Sequence, residues 1–145
     1  MKISPVAAAD KAAWLPLWQA YLAFYNQPLP DEITDLTFAR FLDPAESLSM
    51  FVARADERML AFATCLIHRS TWARHGYCYL EDLYVDESAR GQGVARALIA
   101  AVAEEARERG ASRLYWVTHG HNGRARALYD KVAENAGFVT YQMTL

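Results

Sequence analysis

The stretch Tyr79-Leu80-Glu81-Asp82-Leu83-Tyr84-Val85, continued by Asp86 to Ala89 and then Arg90-Gly91-Gln92-Gly93-Val94-Ala95, decides how the chain is read. An apolar, β-rich run ends, and a loop holding an arginine and two glycines opens directly into a segment of helical period. The first N–H groups of a helix have no intrahelical partner, and the macrodipole is positive there. A loop without bulky side chains lets those amides approach an anion closely. Such a turn can hold a pyrophosphate, with Arg90 and Arg96 as further positive charge. A ligand-free strand-to-helix turn has the same outline. The third glycine of G-x-G-x-x-G is absent, since Arg96 stands in its place, and the Lys-Ser/Thr of a P-loop is missing.

Outward from this stretch, the remaining elements fall into order. Residues 93–109 read as a helix with Val94, Leu98, Ile99 and Val102 on one face and Gly110 as its stop. A short strand at 114–118, a helix at 122–135 with Ala125, Leu128 and Val132 inward, and a closing strand at 138–143 follow. Upstream, residues 49–55 and 59–68 are apolar runs divided by the turn Asp56-Glu57-Arg58, which predicts a hairpin. A polar, basic loop at 69–76 leads into the strand at 77–85. Residues 2–7 suit a first strand, and Trp14, Leu17, Trp18, Tyr21, Leu22 and Tyr25 give a helix at 11–26 a broad aromatic face. Pro16 makes that helix begin there or start irregularly. Gln27-Pro28-Leu29-Pro30 breaks it, and a second short helix carrying Phe38, Phe41 and Leu42 starts at Thr34 or Asp35 and stops before Pro44. Tight turns join antiparallel strands, whereas strands alternating with helices run parallel. The expectation is one α/β domain over residues 1–145, with three layers around a single mixed sheet.

Composition narrows the function. The 145 residues are 53% hydrophobic and 22% charged, with a formal net charge of -2. No broad basic surface favours nucleic acid, and no run approaches the ~20 apolar residues that span a bilayer. Met1 to Asp10 lacks the apolar core of a signal peptide, so a cytoplasmic location is expected. Cys65 and Cys78 lie in strand-like runs and read as buried thiols of a reducing compartment. Two cysteines cannot make a zinc site alone, His68 and His75 lack partners at metal spacing, and no metal is expected.

Arg90-Gly91-Gln92-Gly93-Val94-Ala95 resembles the R/Q-x-x-G-x-G/A acetyl-CoA signature of the GNAT superfamily of N-acetyltransferases. Ala95 stands where glycine is commoner, a variation the signature permits. Asn122-Gly123-Arg124-Ala125-Arg126-Ala127-Leu128-Tyr129 is similar to that family's N-x-x-A-x-x-L/F-Y helix, with Gly137-Phe138 after it. The likeness runs from Ser49 to the C-terminus and is looser before it. It implies a mixed, mostly antiparallel sheet splayed between its fourth and fifth strands. It also implies acetyl-CoA as co-substrate, its pyrophosphate on the amides of Gly91, Gln92, Gly93, Val94, Ala95 and Arg96 beside Arg90. Leu83, Tyr84 and Val85 would bond the pantetheine as an added strand, with the N–H of Leu83 polarising the thioester carbonyl. Asn122 would touch the cofactor from the last helix. The first two helices would wall the acceptor site, bringing Trp18, Tyr21, Phe24 or Tyr25 to substrate, and a homodimer would pair or exchange residues 138–143.

Acetyl transfer to an amine needs a neutral nucleophile, a polarised carbonyl and a proton for the departing thiolate. An alkylammonium starts near pKa ~10.4, so a carboxylate that accepts its proton helps. Glu81 is the candidate base, and strict alternation puts it on one strand face with Leu83 and Val85, with Asp82 and Tyr84 on the other. Tyr129 is the candidate acid, two helical turns after Asn122 and so on a similar side. His119 and His121 flank Gly120 near Asn122 and are solvated loop residues or proton relays. The run at 79–85 is also similar to that of spermidine/spermine and thialysine acetyltransferases. Leu114-Tyr115-Trp116-Val117-Thr118, with Tyr84-Val85-Asp86-Glu87, resembles a yeast-type histone and polyamine subgroup. Both likenesses imply a cationic primary amine as acceptor, as a small molecule or a lysine-containing peptide. Other acceptors (amino acids, protein N-termini, an antibiotic) and a non-catalytic acyl-CoA-binding module remain as alternatives.

Overall fold

The computed structural model describes residues 1–145 in full. The chain divides into two compact units, 1–115 and 116–145. The first unit holds β1 (Lys2–Pro5), α1 (Lys11–Phe24), α2 (Asp31–Leu42), β2 (Leu48–Ala55), β3 (Arg58–His68), β4 (Gly76–Val85), α3 (Val94–Glu108) and β5 (Ala111–Tyr115). Its five strands form one sheet in the order β1-β2-β3-β4-β5. The first four are antiparallel neighbours, and β5 runs parallel to β4. The hairpin, the basic loop and the α3 crossover expected from sequence all produce this topology. No helix is long and apolar enough to cross a membrane.

The sheet is covered on both faces. Trp14 and Trp18 of α1 and Phe38 of α2 bury against Met50, Val52 and Phe62. The rings pack closely, with Trp14 stacked on Trp18 at 5.2 Å and tilted against Phe38 at 5.1 Å. Strand alternation turns Ser49 to the opposite face from Met50, where its hydroxyl meets Glu105 of α3 at 3.3 Å. On that side Val94, Leu98, Ile99, Val102 and Ala106 of α3 are buried, and so are Cys65 and Cys78 as free thiols. Side-chain contact between the two thiols, then burial, pushes the proton affinity of Cys65 up.

Several boundaries differ from the sequence reading. A turn of 3-10 helix at Ala8–Asp10 leads into α1, so Pro16 falls inside the helix rather than at its start. The missing N–H costs one early bond, which the dense aromatic packing offsets. Pro30 with its extended backbone fixes the start of α2 at Asp31, three residues before Thr34. β5 covers 111–115 rather than 114–118.

The second unit holds α4 (Gly123–Val132), shorter than the expected 122–135. Ala125, Leu128 and Val132 are its half-buried apolar positions. Residues 138–143 form no strand, which corrects the sequence expectation. Phe138, Val139, Tyr141 and Met143 are exposed, and without a neighbouring strand an alternating segment has no ladder to join.

Candidate active site

β4 outruns its parallel neighbour. The β4–β5 register ends at Tyr79↔Tyr115, so residues 80–85 of β4 have no β5 partner. On the other side of β4, Tyr84 pairs with Phe62 and Asp86 N–H donates to Leu60 C=O at 2.8 Å. Alternation therefore turns the backbone groups of Tyr84 to β3 and those of Leu83 and Val85 to the open edge. Arg90 Nε donates to Val85 C=O at 3.1 Å, and its guanidinium lies 5.8 Å from the Tyr84 ring centroid. The amides of Leu83 and Val85 and the carbonyl of Leu83 remain for an extended ligand.

The loop after β4 is shaped by two left-handed residues, Gly91 with φ 74° and Gly93 with φ 80°. Gly93 is the N-cap of α3, and no side chain caps that end. The first helical bond is Ala97 N–H to Gly93 C=O at 3.1 Å, which leaves the amides of Val94, Ala95 and Arg96 to an anion. Gln92 is tied back to Ser88 C=O at 3.2 Å.

A β-bulge reshapes β4 in front of this edge. Thr64 pairs with Asp82 and Cys65 with Leu80, so Glu81 is the extra residue. Strict alternation fails here: Leu80 shares the α3 face with Cys65, whereas Asp82, two residues on, turns to the α1 face with Thr64. Asp82 accepts from Thr64 Oγ1 at 2.5 Å and from the Tyr21 hydroxyl, and its own N–H donates to Thr64 Oγ1 at 3.1 Å. Burial holds its carboxyl above the usual range against those two hydrogen bonds. Glu81 is exposed, and partial desolvation with the adjacent Asp82 charge raises its proton affinity as well. Neither carboxylate forms an ion pair.

Aromatic hydroxyls surround the pair. Burial, Glu81, Tyr115, Asp82 and Tyr25 together raise the Tyr79 phenol. The Tyr21 ring sits 5.1 Å from Tyr25 and 6.4 Å from Tyr84. Of the four helix residues named from sequence, Trp18 is core, with Nε1 donating to Thr34 Oγ1 at 3.1 Å, while Phe24 and Tyr25 are exposed. Asp82, Thr64 and Tyr79 were not singled out from the sequence, because their role depends on the bulge.

In the second unit Asn122 is the N-cap of α4. Its Oδ1 accepts from Ala125 N–H at 3.5 Å, and its Nδ2 donates to Thr118 Oγ1 at 3.4 Å. Tyr129, half-buried, packs edge-on against Trp116 with centroids 5.4 Å apart. His119 and His121 stack on each other at 5.2 Å.

The profile of the Acetyltransferase (GNAT) family matches residues 14–133, and the chain belongs to this family of acetyl-CoA-dependent N-acetyltransferases. A D-amino-acid N-acetyltransferase of Saccharomyces cerevisiae is 39% identical over 142 residues, which cover 97% of this chain and 88% of that protein. A thialysine N-epsilon-acetyltransferase of Caenorhabditis elegans is 39% identical over 79 residues, 51% of this chain and 49% of that one. The crystal structure of a probable acetyltransferase superposes with a TM-score of 0.86 at 27% identity, covering 100% of this chain and 98% of the other.

Proposed function

We propose that this enzyme acetylates a cationic primary amine by direct attack, with Glu81 as base and Tyr129 as acid. The observation that carries this reading is the bulged Glu81–Asp82 pair, two carboxylates without a cationic partner beside the open edge of β4. A site of uncompensated negative charge favours an ammonium. Glu81 removes a proton from that ammonium, and the free amine attacks the thioester carbonyl, hydrogen-bonded to the Leu83 amide. The C–S bond breaks as the C–N bond forms, and Tyr129 donates its phenolic proton to the departing thiolate. The amides of residues 91–96, with Arg90 and Arg96, hold the pyrophosphate. Leu83 and Val85 pair with the pantetheine, Tyr84 between them bonds β3 instead and packs its ring on Phe62 and Arg90, and Asn122 touches the cofactor from α4. The family match spans both units, in keeping with one catalytic domain over residues 1–145.

The acceptor is a primary amine, polyamine, lysine-like or histone-tail in kind. The thialysine relative supports a side-chain amine, and the yeast relative supports an amino acid as a second reading. A homodimer that pairs or exchanges residues 138–143 is part of the proposal, supported by the exposure of Phe138, Val139, Tyr141 and Met143. Thiol release from acetyl-CoA, measured over a panel of spermidine, lysine, thialysine, D- and L-amino acids and a histone-tail peptide, tests the acceptor class. Turnover confined to acceptors whose amine is uncharged at neutral pH, such as an arylamine added to the panel, would contradict it.

A further inference from the structure

The acidic pair is one end of a longer surface on the α1 face of the sheet. Tyr79 packs on Tyr115 with centroids 5.0 Å apart, and Tyr115 lies 5.7 Å from His68. His68 in turn lies 6.1 Å from Tyr77. The Arg113 guanidinium is 4.3 Å from the Tyr77 ring centroid and has no carboxylate partner. His68 adds a polar ring here, with Nε2 and the Tyr115 hydroxyl 2.7 Å apart. None of Tyr77, Tyr79, Tyr115 or His68 is fully buried, and Arg113 is exposed. The row therefore runs from two anionic groups across aromatic rings to a cationic one.

Resting on the acetyl-transfer reading above, we infer that the acceptor is dipolar: its amine sits at Glu81, its middle lies on Tyr79 and Tyr115, and a carboxylate at its far end meets Arg113. The spacing sets the length. Tyr77 pairs with His68 and Asp82 with Thr64, four residues along β3, which sets the acidic pair about 13 Å from Tyr77 at ~3.3 Å per residue. Polar contacts of ~3 Å at each end leave roughly 7 Å between amine and carboxylate. A single amino acid acetylated on its α-amine is too short, because it sets its own carboxylate against Glu81 and Asp82. A dipeptide, at ~3.3–3.6 Å per residue, or lysine acetylated on its ε-amine has the required span.

The test compares KM and kcat for dialanine with dialanine amide, and for Nα-acetyllysine with its amide, with free alanine alongside. The two pairs distinguish a peptide N-terminus from a lysine side chain. In the wild-type enzyme one acid should show a KM about tenfold below that of its amide, the scale of one charge-assisted contact. Arg113→Gln should abolish that difference with kcat unchanged, and Arg113→Lys should restore part of it. Equal KM for both acids and their amides, a preference that survives Arg113→Gln, or alanine as the best acceptor would overturn the inference. Thiol release with none of these compounds but with spermidine would overturn it too, while leaving acetyl transfer intact. No release with any amine would bring down the acetyl-transfer reading itself.

Discussion

Glu81 carries its chemistry because of where the backbone puts it. As the extra residue of a bulge it has no cross-strand partner, and desolvation with the Asp82 charge raises its proton affinity. A base must be deprotonated to act, so kcat/KM should rise with pH through a value above the ordinary glutamate range. Glu81→Gln should lower kcat by about 10²–10³-fold and remove that acidic limb from the pH–rate profile. Asp82→Asn deletes the neighbouring negative charge, so the limb should move to lower pH. A limb that stays in place would show that Asp82 does not act on Glu81. Reading the sequence identified Glu81 by its place in an apolar strand before the glycine loop. Alternation put Asp82 on the face of Tyr84, where it lies, but gave it no role, because the bulge at Glu81 leaves no mark in the sequence.

At the scale of elements, the glycine loop and α1 place the site. Gly93 is left-handed, yet a Cβ there would meet no atom within 4 Å. The penalty for Gly93→Ala is thus conformational, about 1–2 kcal/mol of stability, with weaker acetyl-CoA binding as the loop amides shift. Urea denaturation and a binding titration check both. Phe62 is fully buried and touches Trp14, Trp18, Tyr21 and Tyr84. Phe62→Ala should remove about 3–5 kcal/mol by the same denaturation and loosen the contact that holds Tyr21 over Asp82. The periodicity of Trp14, Leu17, Trp18 and Tyr21 made α1 legible in advance. Which of those rings are core and which reach the site was not, because one face can serve both.

For the whole molecule, element order made the sheet legible: short turns signalled antiparallel strands, and the crossover through α3 signalled the parallel β5. The last strand failed because a strand is a relation between two segments, and the alternation at 138–143 shows only one of them. The proposed dimer would supply the other. Light scattering should then report a dimer that Val139→Asp with Tyr141→Asp converts to monomer, and a wild-type monomer would remove that part of the proposal.

Thiol release from acetyl-CoA with a primary amine, compared among wild type, Glu81→Gln and Tyr129→Phe, tests the central claim most directly. The account predicts turnover by the wild type, with kcat reduced at least about a hundredfold in each variant while acetyl-CoA still binds. Undiminished kcat in both variants would contradict it.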